Sequence, residues 1–296
     1  MQTGLESLLD ARLLTQLERL ELTTRKIFRG RLKGERRSKR KGNSVEFADF
    51  RNYVPGDDLR FIDWNTYARL DRLFLKMFLE EEDLHVFCLI DASRSMSFGD
   101  PSKLRYAKQL AAALSFIGLT RADRIKIETV GQPLRTQSPI LRGRRSVTRM
   151  LAQLKTIEAD QNVPLETGVK NFCLRNSGRG ILVVMSDLLD KNGYRDAFKY
   201  LVGRDMDVYV IQILSPAEIE PEIVGDLRLV DCEDADMAEI TVSAPLLARY
   251  KQTVAAFIEE ARTYCVKRGM NYLFARSDLP VEELVLKYLR GRGLVG

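Results

Sequence analysis

The feature that most constrains the fold is a series of short apolar runs that alternate with helical patterns from Leu84 onward. The strongest runs are nearly continuous in Val, Ile and Leu, which is typical of parallel strands covered on both faces. The predicted strands are Leu84–Ile90, Ile125–Val130, Gly180–Met185, Asp207–Leu214 and Asn271–Phe274. Strands that alternate with helices predict an α/β fold, with a doubly wound, mostly parallel sheet flanked by helices.

Boundary signals and side-chain periodicity define the other elements of this region. Asp100-Pro101 predicts an N-cap with proline at the first helical position. Leu134–Leu141 predicts an antiparallel edge element of the sheet. Further helices are predicted at Ser146–Ile157, Leu165–Arg175, Tyr194–Val202, Leu246–Lys267 and Pro280–Leu289, and a small β-hairpin insertion at Leu227–Asp231 and Glu239–Val242.

The first 83 residues have a different character. Leucines from Leu5 to Leu20 recur at helical spacing and predict an amphipathic helix. Between Arg25 and Lys41, ten Lys or Arg face the single Glu35, which predicts a basic loop. We therefore predict two parts: residues 1–83, with a helix, a basic loop and a motif-rich segment packing on the core, and residues 84–296, the α/β domain.

Composition excludes several classes of protein. No apolar run approaches the roughly 18 to 20 residues that span a bilayer, and the first residues lack a signal-peptide layout, so a cytoplasmic protein is expected. The four cysteines, Cys88, Cys173, Cys232 and Cys265, form no C-x-x-C pair and are expected to be free thiols. The lone His85 provides neither a histidine pair for zinc nor a Ser-His-acid triad, and no P-loop motif is present.

The candidate site follows the first core strand. Asp91, Ser93 and Ser95 leave its carboxyl end, and Asp187 leaves a later strand at the same expected edge. In open α/β sheets, ligands bind outside the carboxyl ends of the strands. Short oxygen side chains in this pattern suit a small hard cation such as Mg²⁺. The alternative is that they only bond to the backbone of a turn and cap the next helix.

The pattern Asp91-x-Ser93-x-Ser95 resembles the metal-ion-dependent adhesion site of von Willebrand factor A domains, and Asp187 matches that site's later aspartate. This resemblance implies Mg²⁺ as the cofactor and those residues as its ligands. The family also uses a threonine, and Val163 stands at the corresponding position, where it cannot bind a metal. A water molecule or the hydroxyl of Thr148 or Thr167 is the expected substitute.

A second resemblance begins in the motif-rich segment. The run Tyr53-x-Pro-Gly-Asp-Asp-x-Arg-x-Ile-Asp-Trp64, within Glu46–Trp64, is similar to the signature of domain of unknown function 58 (DUF58), and the similarity extends from about Gly42 to the end. In that family the segment precedes a von Willebrand factor A-like domain. Arg51, Arg60 and Arg69 are expected to pair with Asp49, Asp63 or Glu80 to Glu82, and Trp64 to anchor the segment.

Three functions compete at this point. The first is a non-enzymatic interaction or scaffold module, with a protein partner that the resemblance implies is a MoxR-type AAA+ ATPase, for which the chain would act as adaptor or co-chaperone. The second is a metal-dependent phosphoester hydrolase using Asp91, which the presence of Ser93 in place of a second aspartate disfavours. The third is nucleic-acid binding through Arg25–Lys41 with Arg142, Arg144, Arg145 and Arg149. We predict the first.

Overall fold

The computed structural model describes residues 8–23, 46–79, 84–160, 163–223, 225–230 and 237–296. These belong to two compact units, a larger one of Met1–Lys26 with Leu84–Gly296 and a smaller one of Ile27–Asp83. The predicted division at residue 84 is therefore wrong for the N-terminal helix, which belongs to the larger unit. The basic run Arg25–Lys41, the acidic residues 80–83 and Cys232 lie outside the described residues.

The elements follow one another in the predicted alternation. The helices are α1 (Ala11–Leu17), α2 (Trp64–Leu70), α3 (Lys103–Thr120), α4 (Val147–Lys155), α5 (Leu165–Arg175), α6 (Arg195–Lys199), α7 (Pro216–Ile219), α8 (Ala244–Lys267) and α9 (Val281–Glu283), which continues as a π-helical turn over Leu284–Leu289. The strands are β1 (Glu46–Asn52), β2 (Phe74–Leu79), β3 (His85–Ile90), β4 (Arg124–Thr129), β5 (Leu141–Arg142), β6 (Gly180–Ser186), β7 (Met206–Leu214), β8 (Gly225–Val230), β9 (Met237–Val242) and β10 (Asn271–Arg276).

In the described residues, the main sheet has six strands in the order β10-β7-β6-β3-β4-β5. All neighbours are parallel except β5, a two-residue strand that runs antiparallel to β4. After β3 the chain adds β4 on one side of that strand. It then crosses to the opposite side of β3, where β6, β7 and β10 follow in order. The predicted doubly wound, mostly parallel sheet is confirmed, and its direction of winding reverses between β3 and β6.

Burial explains why the apolar runs became central strands. Every residue of β6 and β7 is buried, as expected for strands covered on both faces. The apolar face of α3, including Leu104, Ala111 and Ile117, is buried as well. The predicted N-cap of α3 was wrong, because Ser102 caps the helix by accepting a bond from the Arg105 amide at 3.3 Å. The preceding Asp100-Pro101 peptide bond is cis.

The N-terminal helix joins the larger unit through its leucines and the chain end. Leu9, Leu13 and Leu17 are buried, and α1 packs on α3. The amide of Gly296 donates to the carbonyl of Glu21 at 2.9 Å, which ties the two ends of the chain together. The N-terminal helix therefore belongs to the larger unit, and not with the segment that follows it in sequence, because its apolar side chains pack on α3.

The smaller unit contains the antiparallel pair β1–β2 and helix α2. Arg51 and Arg60 pair with carboxylates, as predicted, but the partners differ from the predicted ones. Arg51 binds Asp57 at 2.7 Å, and Arg60 binds Asp58. Asp63 instead caps α2, accepting from the Thr66 hydroxyl at 3.0 Å. These pairs are short-range, because the turn brings together side chains that are close in sequence. The packing of this segment on the sheet stays a prediction.

The antiparallel pair β8–β9 confirms the predicted hairpin strands. Among the described residues, no helix is both long enough and apolar enough to cross a bilayer.

Candidate functional site

The candidate site lies where β3 and β6 end side by side. Ile90 and Met185 are partners in the parallel ladder, and the Asp91 amide extends it by donating to the Met185 carbonyl at 2.8 Å. Asp91 and Asp187 are therefore carried to the same edge of the sheet, as the sequence predicted. The winding of the sheet reverses between these two strands, which is where α/β proteins place their ligands.

The turn after β3 gathers the oxygen atoms of three predicted residues. Asp91 accepts the Ser93 amide at 3.0 Å through Oδ1, and the Oγ atoms of Ser93 and Ser95 lie 3.0 Å apart. The Asp91 Oδ2 atom accepts the Ser186 hydroxyl at 2.6 Å. A short 3-10 turn follows, and its fully buried Met96 fixes the turn to the core. The three side chains are thus held in position by the fold.

Asp187 has a different environment, because its carboxylate is bonded on both sides. Its Oδ1 atom accepts the Leu189 amide at 3.0 Å, and its Oδ2 atom accepts Lys103 Nζ at 2.7 Å. The Lys103 side chain is 0% exposed and also binds Glu218. Burial alone lowers the pKa of Lys103, but attraction to Asp187 and then Glu218 outweighs it, so the pKa is raised and the ammonium stays charged.

These side chains border a cleft of about 130 Å³, called here the β3–β6 cleft. Its lining includes Asp91, Ser93, Ser95 and Asp187, so the structure brings all four predicted site residues together. Val163 also lines it, at the place where the resemblance expects a threonine. Neither Thr148 nor Thr167 is among the lining residues in the described part of the chain, which disfavours both as substitutes for that hydroxyl.

The side chains of the β3–β6 cleft supply part of the ligand set of a Mg²⁺ ion. Neighbouring ligands of an octahedral Mg²⁺ ion, each at about 2.1 Å from the metal, are about 3 Å apart. The hydroxyls of Ser93 and Ser95 have that separation, and two carboxylates stand nearby. Acidic, His and Cys side chains alone form no metal-sized group of three in the described residues, so the serines are essential to the set. The cation would supply a positive charge able to bind an acidic group of a partner.

The surroundings of Asp91 disfavour the ionised form of its carboxyl group. Burial raises the pKa of Asp91 and the neighbouring charge of Asp187 raises it further, against the bonds from Ser186 and Ser93. Two buried carboxylates therefore oppose each other's ionisation. A divalent cation offsets this repulsion.

The polar residues at the site that sequence reasoning missed are Lys103, Ser186, Asp190, Lys191, Asn192 and Glu218. Asp190 lines the cleft and accepts the Leu165 amide at 2.7 Å, so it holds the start of α5. Its position three residues after Asp187 was a visible signal. Ser186 was visible beside Asp187 as well. Lys103 and Glu218 lie 84 and 31 residues from Asp187 in sequence, and no local pattern relates them.

Several other residues singled out in the sequence, namely His85, Arg142 and Arg144, bond to other residues of the chain. The His85 ring lies 3.3 Å from Arg124, and Cys88, Cys173 and Cys265 are buried free thiols, as predicted. Of the basic residues proposed for nucleic acid, Arg144 pairs with Glu18 at 3.2 Å. Arg142 donates to the Ala122 carbonyl at 2.9 Å. These arginines are at least partly engaged within the chain.

Comparison with known sequences identifies a family and several relatives. Residues 49–260 match the family described as "Protein of unknown function DUF58". Uncharacterized proteins of Mycobacterium bovis and of Mycobacterium tuberculosis are each 28% identical over 274 residues, which cover 91% of this chain and 86% of the relative. An uncharacterized protein of Mycobacterium avium is 23% identical over 53% of this chain and 94% of its own length.

Solved structures of low similarity also match. The conserved hypothetical protein BatB from Bacteroides thetaiotaomicron is 15% identical with a TM-score of 0.41, covering 70% of this chain and 98% of its own. An aerotolerance-related membrane protein from Bacteroides fragilis gives the same identity and TM-score over 70% and 97%. A von Willebrand factor type A structure from Catenulispora acidiphila is 14% identical with a TM-score of 0.35 over 47% and 35%.

Proposed function

This chain belongs to the DUF58 family, and we propose that it is a protein-interaction module that contacts its partner at the β3–β6 cleft. Its larger unit is a von Willebrand factor A-like α/β fold, and the cleft stands where the winding of that fold reverses. One observation carries the proposal: Asp91, Ser93, Ser95 and Asp187 converge on a single opening. Side chains from separate strands and loops gathered around an opening suit binding.

The proposed contact uses a cation held between the two molecules. Ser93, Ser95, Asp91 and Asp187 would hold Mg²⁺ from this side, and an acidic side chain of the partner would complete its coordination. Mg²⁺ prefers six oxygen ligands. Because Val163 contributes no oxygen atom, the protein alone offers an incomplete set, which leaves room for the partner's carboxylate.

The partner class to test is a MoxR-type AAA+ ATPase, which the family resemblance implies. On this proposal the chain is an adaptor or co-chaperone for that ATPase, and a cytoplasmic location stays a prediction. The test measures binding of a purified MoxR-type ATPase to the immobilised full-length chain by biolayer interferometry, with Mg²⁺ and with chelator. Binding that needs Mg²⁺ and is lost in Asp91→Ala and Ser95→Ala supports the proposal.

The matched control is Ser97→Ala, a serine of the same turn whose hydroxyl bonds to the Arg94 carbonyl at 2.7 Å and is absent from the lining of the cleft. Equal binding by the wild type, Asp91→Ala and Ser97→Ala would show that the contact lies elsewhere. Absence of binding by the wild type would remove this ATPase as the partner.

We also propose that the module is not a hydrolase. A phosphatase that uses Asp91 for attack would need a second acid two residues later to serve the leaving group, and that position is Ser93. Incubation of the purified chain with p-nitrophenyl phosphate and Mg²⁺ is expected to release no nitrophenol above the rate of Asp91→Ala. Turnover that disappears in that variant would establish the enzyme instead.

A further inference from the structure

Lys103 is an unusual neighbour for a cation site. It is the first residue of α3, and its side chain is 0% exposed. A buried ammonium is costly unless carboxylates and hydrogen bonds compensate for the lost water. Here Asp187 and Glu218 provide that compensation. An internal positive charge is therefore bound to one of the carboxylates proposed to hold the metal.

The pairing with Lys103 occupies one of the two carboxylate oxygen atoms of Asp187. Its Oδ1 atom accepts the Leu189 amide and its Oδ2 atom accepts Lys103 at 2.7 Å. A cation that binds Asp187 must share an oxygen atom with either Lys103 or the Leu189 amide, and in both cases it must overcome the repulsion of the Lys103 charge. The carboxylate is thus held in place by an internal cation that competes with an external one.

Glu218 sets the strength of this competition. Its Oε1 atom binds Lys103, while its Oε2 atom accepts the Ser215 amide at 2.7 Å in the capping box of α7. The Tyr250 hydroxyl donates to the Glu218 carbonyl at 2.7 Å, which fixes the same residue from α8. Glu218 is therefore firmly positioned, and its carboxylate and that of Asp187 both bind the Lys103 ammonium.

We propose that Lys103 is an internal counter-cation that lowers the metal affinity of the β3–β6 cleft by competing for Asp187, and that Glu218 moderates this competition. The inference rests on the proposed cation-dependent contact and adds its regulation. Lys103 acts through Asp187 and is a positioning residue. Competition by Lys103 makes metal binding weak in the free protein, so the partner's carboxylate is needed for full occupancy of the metal site.

Two variants of the full-length chain are expected to move metal affinity in opposite directions. Lys103→Met with Glu218→Gln removes one charge of each sign and frees Asp187, so the affinity for Mn²⁺ and Mg²⁺ rises by about fivefold. Glu218→Gln alone leaves Lys103 wholly to Asp187, so the affinity falls by about fivefold. A purely structural role for these residues would lower the affinity in both variants.

The measurement is isothermal titration with Mn²⁺ and with Mg²⁺ at one fixed pH, supported by electron paramagnetic resonance of bound Mn²⁺. The matched control is Lys287→Met with Glu283→Gln, which removes an exposed Lys–Glu pair at 3.3 Å and is expected to change nothing. Circular dichroism melting establishes that each variant is folded. If the double variant at Lys103 fails to fold, Lys103→Met alone, which removes only the competing cation, is measured in its place and is expected to bind both metals more tightly.

Metal binding that is tighter in the double variant, or that occurs only there, supports the inference. Unchanged or weaker binding in the folded double variant overturns it, as does the absence of binding in both proteins. If Lys103→Met is measured in place of the double variant, unchanged or weaker binding overturns the inference. Partner binding is scored separately with Asp91→Ala, so either conclusion can fail without the other.

Discussion

Two buried groups of charged residues lie on neighbouring strands of the same sheet, and only one of them borders the cleft. The first, called here the Glu128 cluster, is on β4. Glu128 accepts two bonds from Arg175, at 2.6 and 3.1 Å, and is bound by Lys126 at 3.0 Å and Asn176 at 3.1 Å. Lys126 also donates to Asn176 at 2.6 Å. A single carboxylate is thus surrounded by donors.

The second group lies where β3 and β6 end. Lys103 binds Asp187 and Glu218 there, and Asp91, Asp190 and Lys191 line the cleft beside them. Four carboxylates against two cations leave an excess of negative charge, and the group borders about 130 Å³ of space. The Glu128 cluster has the opposite balance, with two cations around one acid. Burial of charge alone is therefore a poor guide to a binding site, and unbalanced charge beside a cavity is what makes the β3–β6 cleft the candidate.

The largest expected effect is in the Glu128 cluster. Arg175→Ala leaves the fully buried Glu128 without its main partner, and loss of one member of a buried pair costs about 3 to 5 kcal/mol. Urea unfolding followed by circular dichroism measures this change. Arg179→Ala is the control, because Arg179 and Asp205 are exposed and 3.8 Å apart, and a change within about 0.5 kcal/mol is expected. A loss below about 1 kcal/mol in Arg175→Ala would show that water replaces the arginine.

The same kind of change at the cleft is expected to affect binding more than stability. Asp91→Asn removes a buried charge whose pKa is raised by burial and by Asp187, so the free energy of unfolding changes by less than about 1 kcal/mol. Mn²⁺ affinity is expected to fall more than about tenfold. Titration and urea unfolding measure the two effects, with the exposed Asp196→Asn as control. A loss of stability as large as that of Arg175→Ala would make Asp91 a structural residue.

A smaller gain is expected from restoring the missing hydroxyl. Val163→Thr places an oxygen ligand at the position where the resemblance expects a threonine, and Mn²⁺ affinity is expected to rise by about threefold to tenfold. The comparison variant is Val202→Thr, which changes an exposed valine far along the chain and is expected to leave affinity unchanged. Equal affinity in the wild type and Val163→Thr would indicate that the loop holds the side chain away from the ion.

The smallest effect concerns the sheet between the two groups. Cys88 pairs with Ile127 on one side and Val183 on the other, and burial raises its pKa to about 12. At pH 8 its thiolate form is therefore negligible. Iodoacetamide is expected to leave Cys88, Cys173 and Cys265 unmodified in the folded protein and to label them in urea, as mass spectrometry detects. Labelling of native Cys88 would mean that the sheet opens to solvent.

Several features followed from the sequence because they depend on short-range patterns. Continuous apolar runs predicted the parallel strands, since only strands buried on both faces need them. The turn after β3 predicted the convergence of Asp91, Ser93, Ser95 and Asp187, because neighbouring parallel strands end at one edge. The N-cap of α3 was placed wrongly, since several polar residues in succession compete for that role and a local signal does not rank them.

Only the tertiary structure decided which distant charges meet. Lys103, Asp187 and Glu218 come from three separate segments, and a buried ion pair requires the fold that excludes water from it. The N-terminal helix likewise joined the larger unit because α3 offered an apolar surface, against the order of the chain. Local sequence patterns were thus sufficient for the strands, the edge of the sheet and the oxygen-bearing side chains gathered there. Long-range packing determined the internal cation that stands beside them, because no local periodicity encodes a contact across 84 residues.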